Sequence, residues 1–311
     1  MCNCLYCYKP LNAGEVDYHS TCAKQFYGSN PAPTLNYGRA DMDQLAREVI
    51  ETQTTLTGVQ PKLSLHVLEH KGSKRLTVVG LWGAYIFKPQ TENFAQLPEI
   101  EDLTMHLAQI AGIRTVPHAL IRLADGELGY ITKRVDRTAE DEKIPQEDFC
   151  QLCERQTEEK YKSSYEQVGK ALLNYSTLPL MDATEYFQVV LFCFVTGNND
   201  MHLKNFSLQY MNGEYRLTPA YDLVNAVIVN PKDPEELALT LNGRKRKIKY
   251  ADFVELAARL GIQDKYVAQV VKRFRSFLPK WEACIDSSFL SEELKQAYKE
   301  LLRERLERLN S

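Results

Sequence analysis

The chain has 311 residues, 44% hydrophobic and 25% charged, which suits a soluble globular protein able to bury a sizeable core. A formal net charge of −3 excludes a general nucleic-acid binder. No apolar run approaches the ~20 residues of a membrane span and no secretory leader is visible, so the cytoplasm is the expected compartment. Eight cysteines are too few for a disulfide scaffold of this length, and their clustering points to metal.

Cys4-Leu5-Tyr6-Cys7 is a CxxC and His19-Ser20-Thr21-Cys22 an HxxC, joined by a polar connector containing Gly14. Two ligands on a tight knuckle and two at the start of a helix would make a closed Cys3His structural zinc site, with Cys2 as a spare thiolate. The alternative is a tail with incidental cysteines. Gly28 to Asn36, with Pro31 and Pro33, reads as a linker, so residues 1–36 are expected to form a module and linker.

Met42, Leu45, Val49 and Ile50 place a short helix over 41–52. Thr54 to Lys62 is a glycine-containing loop that leads into alternating Leu63, Leu65 and Val67, a strand; alone, such a loop is an ordinary turn. Short strands follow near 75–79 and 84–87, the second ending at Lys88, where a lysine in an N-terminal sheet can pair with nucleotide phosphates. Residues 97–111 form a helix with Pro98 in its first turn, Gly112 just past its end, and early acids Glu99 and Glu101. Strands at 118–123 and 128–133 meet at an Asp125-Gly126 turn.

Beyond residue 136 the chain reads as helical, with helices at 164–174 and 182–194, and Cys150 and Cys153 as thiols of a helix core. A hairpin turns at Asn212-Gly213, and three helices (250–260, 264–277 and 291–309) close the chain. Arg244 to Lys247, with Lys249, is a basic run: a solvated turn, or an electrostatic dock for an RNA-bearing or acidic substrate.

The stretch with most chemistry is Thr196 to Leu208. Asp200 and Asn205 stand five residues apart, with His202 and Lys204 between them, and Pro219-Ala220-Tyr221-Asp222 follows the hairpin. Phosphoryl transfer needs this order: one carboxylate to orient the attacking hydroxyl, then a carboxamide and a second carboxylate to hold Mg²⁺ against the phosphates. His-Arg-Asp is absent, and Tyr221-Asp222-Leu223 stands in place of Asp-Phe-Gly. A polar surface loop is the plain alternative.

N-x-D-x-H-x-K-N followed by P-x-Y-D resembles the HipA family of bacterial toxin kinases, from about residue 50 to the end of the chain. The resemblance implies an α+β, two-lobed protein-kinase-like fold, with a β-rich N-lobe over 37–135 and a helical C-lobe over 136–311. It implies ATP between the lobes, with adenine against the backbone of Lys133 and Val135. Lys88, paired with Glu101, and the loop of Thr57, Gly58, Val59, Gln60 and Lys62 would hold the phosphates, with Tyr221 beside the nucleotide. Asn205 and Asp222 would bind Mg²⁺. Asp200 would accept the proton of a substrate Ser or Thr, Lys204 would neutralise charge on the transferring group, and His202 would order the loop. Gln146 to Gln151 also matches a family motif.

Thr55 and Thr57 occupy positions where such kinases autophosphorylate. About fifty residues precede the loop, so the chain resembles the short form, HipT, in which an N-terminal domain is a separate small protein. The implied partners are that small protein, a HipB-like antitoxin and a protein substrate such as a tRNA synthetase, with no direct nucleic-acid contact. A small-molecule kinase of the same fold, or a non-catalytic kinase-like binding module, remains open.

Overall fold

Leu63 and Leu65 are buried while Ser64 and His66 are half-exposed, the period-2 pattern of a strand with one face on a core. A computed structural model of the protein describes residues 3–42, 44–45, 62–70, 72–79, 83–138 and 141–310. They divide into two compact units, one of 1–102, 116–134 and 287–290, the other of 103–115, 135–286 and 291–311.

The first unit holds α1 (Ser20–Tyr27), β1 (Leu63–His70), β2 (Ser73–Val79), β3 (Tyr85–Lys88), the start of α2 (Leu97–Ile110), β4 (His118–Arg122) and β5 (Leu128–Lys133). Its strands form one antiparallel sheet in the order β2-β1-β3-β5-β4. Phe87 and Ile131 face each other at its centre, both fully buried. Gly129 is required there, because a Cβ would stand 2.3 Å from the Phe87 ring.

Unpaired edge strands invite wrong partners, and the first 36 residues engage both edges of this sheet. At β4 the Leu120 N–H donates to the Leu5 carbonyl at 3.0 Å, the Tyr18 hydroxyl donates to the Leu120 carbonyl at 2.5 Å, and Arg122 pairs with Asp17 at 2.8 Å. At β2 the Thr34 N–H donates to the Lys74 carbonyl at 3.1 Å, and the Leu76 N–H donates to the Thr34 carbonyl at 2.8 Å. Phe26 of α1 packs edge-on against Tyr85. Of the helix expected over 41–52, residues 41, 42, 44 and 45 are helical, and the rest lies outside the described residues.

The second unit holds β6 (Gln146–Asp148), α3 (Phe149–Leu152), α4 (Tyr165–Tyr175), α5 (Pro179–Thr196), β7 (Ser207–Met211), β8 (Glu214–Leu217), α6 (Ala226–Val229), α7 (Tyr250–Arg259), most of α8 (Asp264–Ser287) and α9 (Glu292–Arg308). α5 is its axis. Val190 through Thr196 are all fully buried, as expected of a helix that is apolar all round.

Two expectations are corrected. Residues 146–148 are not helical; they form β6, which pairs antiparallel with β7, Asp148 opposite Ser207. A strand this short is chosen by its partner and not by local propensity. α8 does not end near Phe277 but runs through Pro279 to Ser287. A proline inside a helix costs about 3 kcal/mol. Beyond it, Trp281 is fully buried, packs on Phe274 at 5.7 Å and on Phe192 at 6.2 Å, and donates its indole N–H to the Leu107 carbonyl at 3.0 Å. That anchoring holds the second half of the helix.

Candidate active site

α5 stops at Gly197, whose φ of 70° suits glycine and where a Cβ would stand 2.6 Å from Leu301 and 2.8 Å from the Asn225 side chain. The loop that leaves it is wired internally. Buried Asn198 accepts the Asp200 N–H at 3.1 Å. The Asp200 carbonyl accepts both the His202 N–H at 2.8 Å and the Asn205 carboxamide N–H at 3.1 Å. With its nitrogen held on Asp200, Asn205 has its carboxamide oxygen as the atom for a cation, a hard donor of the kind Mg²⁺ prefers.

The Asp200 carboxylate accepts the Tyr161 hydroxyl at 2.5 Å. Burial, with the charge of Asp200 added, pushes that phenol far above its ordinary value, so it remains a donor. The Tyr161 ring stands edge-on to His202 at 4.9 Å. Burial lowers His202 to about 4, against the pull of the Asp200 and Asp222 carboxylates. The imidazole is thus neutral near pH 7 and lies within the electrostatic reach of both carboxylates.

Lys204 pairs with Asp148 at 2.9 Å. Asp148 also caps α3 by accepting the Gln151 N–H at 3.0 Å, while the Gln151 side chain accepts the Asp148 N–H at 3.1 Å, a reciprocal capping box. The half-buried Tyr221 places its hydroxyl 2.6 Å from that of Ser207 and donates to the Lys204 carbonyl at 3.1 Å. Tyr221 therefore pins β7 to the loop. Asp222 follows with φ 54°, a left-handed bend that few side chains adopt.

In the first unit, Lys88 ends β3 and donates to Glu101 of α2 at 2.6 Å, with 6% and 2% of the two side chains exposed. Tyr130, opposite Lys88 across the β3–β5 pair, lies under the ammonium at 5.5 Å. The Lys133 N–H is held by the Pro117 carbonyl at 2.9 Å; its ammonium lies over Phe26 at 5.9 Å, and burial lowers its pKa. Lys62 is exposed ahead of β1. Thr55, Thr57, Gly58, Val59 and Gln60 lie outside the described residues, as does Cys2.

Cys4, Cys7, His19 and Cys22 also come together: their ligand atoms all lie within 4.8 Å of one another. His19 Nδ1 is 3.4 Å from the Cys7 sulfur and 3.7 Å from that of Cys22. These are close to the ~3.5 Å edge of a tetrahedron with zinc–ligand bonds of about 2.0–2.3 Å. His19 Nε2 points at the Pro10 carbonyl, 3.0 Å away, which sets the proton there and turns Nδ1 toward the thiols. Burial works against ionising Cys4, but hydrogen bonds from the backbone of His19, Tyr6 and Cys7 hold it below its ordinary value. Burial and the charge of Cys4 push Cys22 up to about 12. A cation among these sulfurs relieves that conflict, so the residues fit zinc.

Sequence reasoning missed Tyr161, which sits in a charged stretch without a motif. It noted the Gln146–Gln151 segment but not the role of Asp148, although Asp148-x-x-Gln151 is a readable capping box. The basic run is a mostly exposed turn whose Lys245 pairs with Glu235 at 3.1 Å. Among the described residues, no helix is long and apolar enough to cross a membrane.

Residues 54–281 match the family model described as the HipA-like C-terminal domain. The chain is 30% identical over 249 residues to "Putative kinase Y4dM" of Sinorhizobium fredii, which covers 74% of this chain and 59% of that protein. It is 27% identical over 245 residues to a "Putative kinase" of Haemophilus influenzae, covering 69% of each. The first match therefore spans less than two thirds of its relative. In fold, the chain is similar to HipA of Shewanella oneidensis MR-1, solved with HipB and operator DNA, with a TM-score of 0.69, 21% identity, and coverage of 85% of this chain and 70% of that one. It is also similar to the proinflammatory kinase CtkA of Helicobacter pylori, with a TM-score of 0.54, 15% identity, and coverage of 83% and 91%. The fold is α+β and kinase-like, with a five-stranded sheet in one part and a mostly helical second part that carries a three-stranded sheet, β6-β7-β8.

Proposed function

The chain belongs to the HipA-like C-terminal domain family, and from that premise we propose that it is an ATP- and Mg²⁺-dependent serine/threonine protein kinase. One observation carries the reading above the others: the Asn205 carboxamide is bound to the Asp200 carbonyl at 3.1 Å, in the loop that α5 delivers. That bond leaves a carboxylate and an amide oxygen on one rigid turn. Asp200 orients the attacking hydroxyl and takes its proton. Lys88, held by Glu101, takes the nucleotide phosphates. Lys204, held by Asp148, supplies positive charge beside the loop. Asn205 and Asp222 would hold Mg²⁺, which when bound neutralises phosphate charge. Catalysis on these terms is mainly positioning and electrostatics. Transfer of labelled phosphate from ATP into protein in a lysate tests the reading; label that enters only small metabolites would replace it with a small-molecule kinase.

The family resemblance extends the proposal to a cytoplasmic toxin that phosphorylates a translation component such as a tRNA synthetase. A HipB-like antitoxin would restrain it. Thr55 or Thr57 would take an autophosphate, whose charge of roughly −1.5 to −2 opposes nucleotide binding. Intact mass after incubation with ATP, wild type against Asp200→Ala, tests this switch. Phosphate found only elsewhere removes it.

The Cys4, Cys7, His19 and Cys22 cluster would hold one structural zinc ion, with no open position for catalysis. Elemental analysis should find about one zinc per chain, lost in the double variant Cys4→Ser with Cys7→Ser.

A further inference from the structure

The knuckle that carries Cys4 and Cys7 ends in Tyr8, at φ 61°. An aromatic residue adopts this left-handed conformation only where its surroundings impose it. Here the Tyr8 N–H donates to the Cys4 carbonyl at 3.0 Å and closes the knuckle. The bend sends the side chain into the first unit. Its ring meets Phe289 edge-on at 5.3 Å, and its hydroxyl donates to Asp102 at 2.7 Å.

Asp102 is fully buried and adjoins Glu101 in α2. Its second oxygen meets His118 Nδ1 at 2.6 Å. The His118 ring stacks on Tyr130 at 6.1 Å, Tyr130 lies under the Lys88 ammonium at 5.5 Å, and Lys88 returns to Glu101 at 2.6 Å. Tyr8 thus feeds a closed circuit of buried contacts that passes through the phosphate lysine. None of its members but Lys88 and Glu101 belongs to the proposed reaction.

We infer that Tyr8 is a positioning residue for the Lys88–Glu101 pair, and that the Cys/His cluster, through its knuckle, sets the geometry of that pair. The N-terminal module is then a metal-dependent regulator of the nucleotide-binding half of the protein. The catalytic consequence rests on the kinase reading; the positioning itself does not.

The test uses the full chain with its zinc, wild type against Tyr8→Phe, which removes only the hydroxyl. Lys88 is acetylated with acetic anhydride in the absence of nucleotide and read by mass spectrometry, with exposed Lys162 as the internal standard. Tyr8→Phe should label Lys88 several-fold faster at unchanged zinc content, with a melting temperature a few degrees lower. A zinc chelator should bring the wild type to the same rate, and readded zinc should restore protection. In the transfer assay, KM for ATP should rise about tenfold while kcat moves less, the size expected from losing a hydrogen bond to a charged group. Equal Lys88 labelling in the two proteins overturns the inference, and so does chelation that leaves wild-type labelling unchanged. Loss of zinc from Tyr8→Phe also overturns it, since the hydroxyl would then serve the metal. Faster labelling in a protein that transfers no phosphate sustains the positioning role and rejects the kinase reading instead.

Discussion

Tyr161 donates its hydroxyl hydrogen to the Asp200 carboxylate across 2.5 Å. The phenol fixes the orientation of the group proposed to receive the substrate proton. Tyr161→Phe should lower kcat roughly ten- to a hundredfold, the worth of one ordering hydrogen bond to a charge, and leave KM for ATP nearly unchanged. Asp200→Ala should lower kcat by at least ~10²-fold and retain Mg-ATP binding. Steady-state transfer and calorimetric titration with Mg-ATP read both. Full activity in purified Asp200→Ala would remove it from the mechanism.

Lys88 and Glu101 are a buried pair, so removing one partner strands the other charge. Lys88→Met and Glu101→Leu should each cost about 3–5 kcal/mol of unfolding free energy, and the double variant well under their sum. Denaturant unfolding of the four proteins checks this. Strict additivity would mean that the two charges do not support each other.

His202 gives the nucleotide-free protein an acid limb. Its imidazole sits at about 4 in the folded chain, mainly through burial, against about 6.5 when unfolded. The unfolded chain therefore binds that proton more readily. The stability concerned is complete above pH ~6.5 and is lost as the pH falls toward about 4, on the order of 3 kcal/mol in all. Unfolding midpoints at pH 7 and pH 5 should differ less in His202→Gln than in wild type. An equal difference in both would assign the acid limb to other groups.

Removing the zinc proposed for the Cys/His cluster should expose an edge. Leu5 and Tyr18 both bond Leu120 on β4, so loosening the cluster frees that strand for pairing with another molecule. Chelated protein should lower its melting temperature by several degrees and self-associate on sizing chromatography, and added zinc should reverse both. A chelated protein that stays monomeric would show that Phe26, Tyr27 and their neighbours hold the module without metal.

The sheet, the hairpin and most helix spans were legible because they follow from local patterning: alternation at Leu63 and Leu65, an apolar run ended by Gly197, and turns at Asp125-Gly126 and Asn212-Gly213. The loop from Asp200 to Asn205 was legible because its chemistry fixes residue types at set spacings. Tyr161 and Tyr8 were not. Each reaches a distant carboxylate, and a lone tyrosine carries no sign of its partner. β6 and the far half of α8 failed for a related reason: Ser207 and Leu107, far away in sequence, decide them.

The two-edged grip of the opening segment on the sheet also bears on the order of assembly. Tyr18 and Leu120 are 102 residues apart, and Tyr8 and Asp102 are 94 apart. At synthesis rates of ~5–20 residues per second, roughly 5–20 s separate the appearance of the two sides. The Cys/His segment is thus made seconds before the strand and helix it docks against. A knuckle closed early by metal waits as a preformed plug and docks in one step, whereas an open one must fold and dock together, with its thiols exposed throughout the delay.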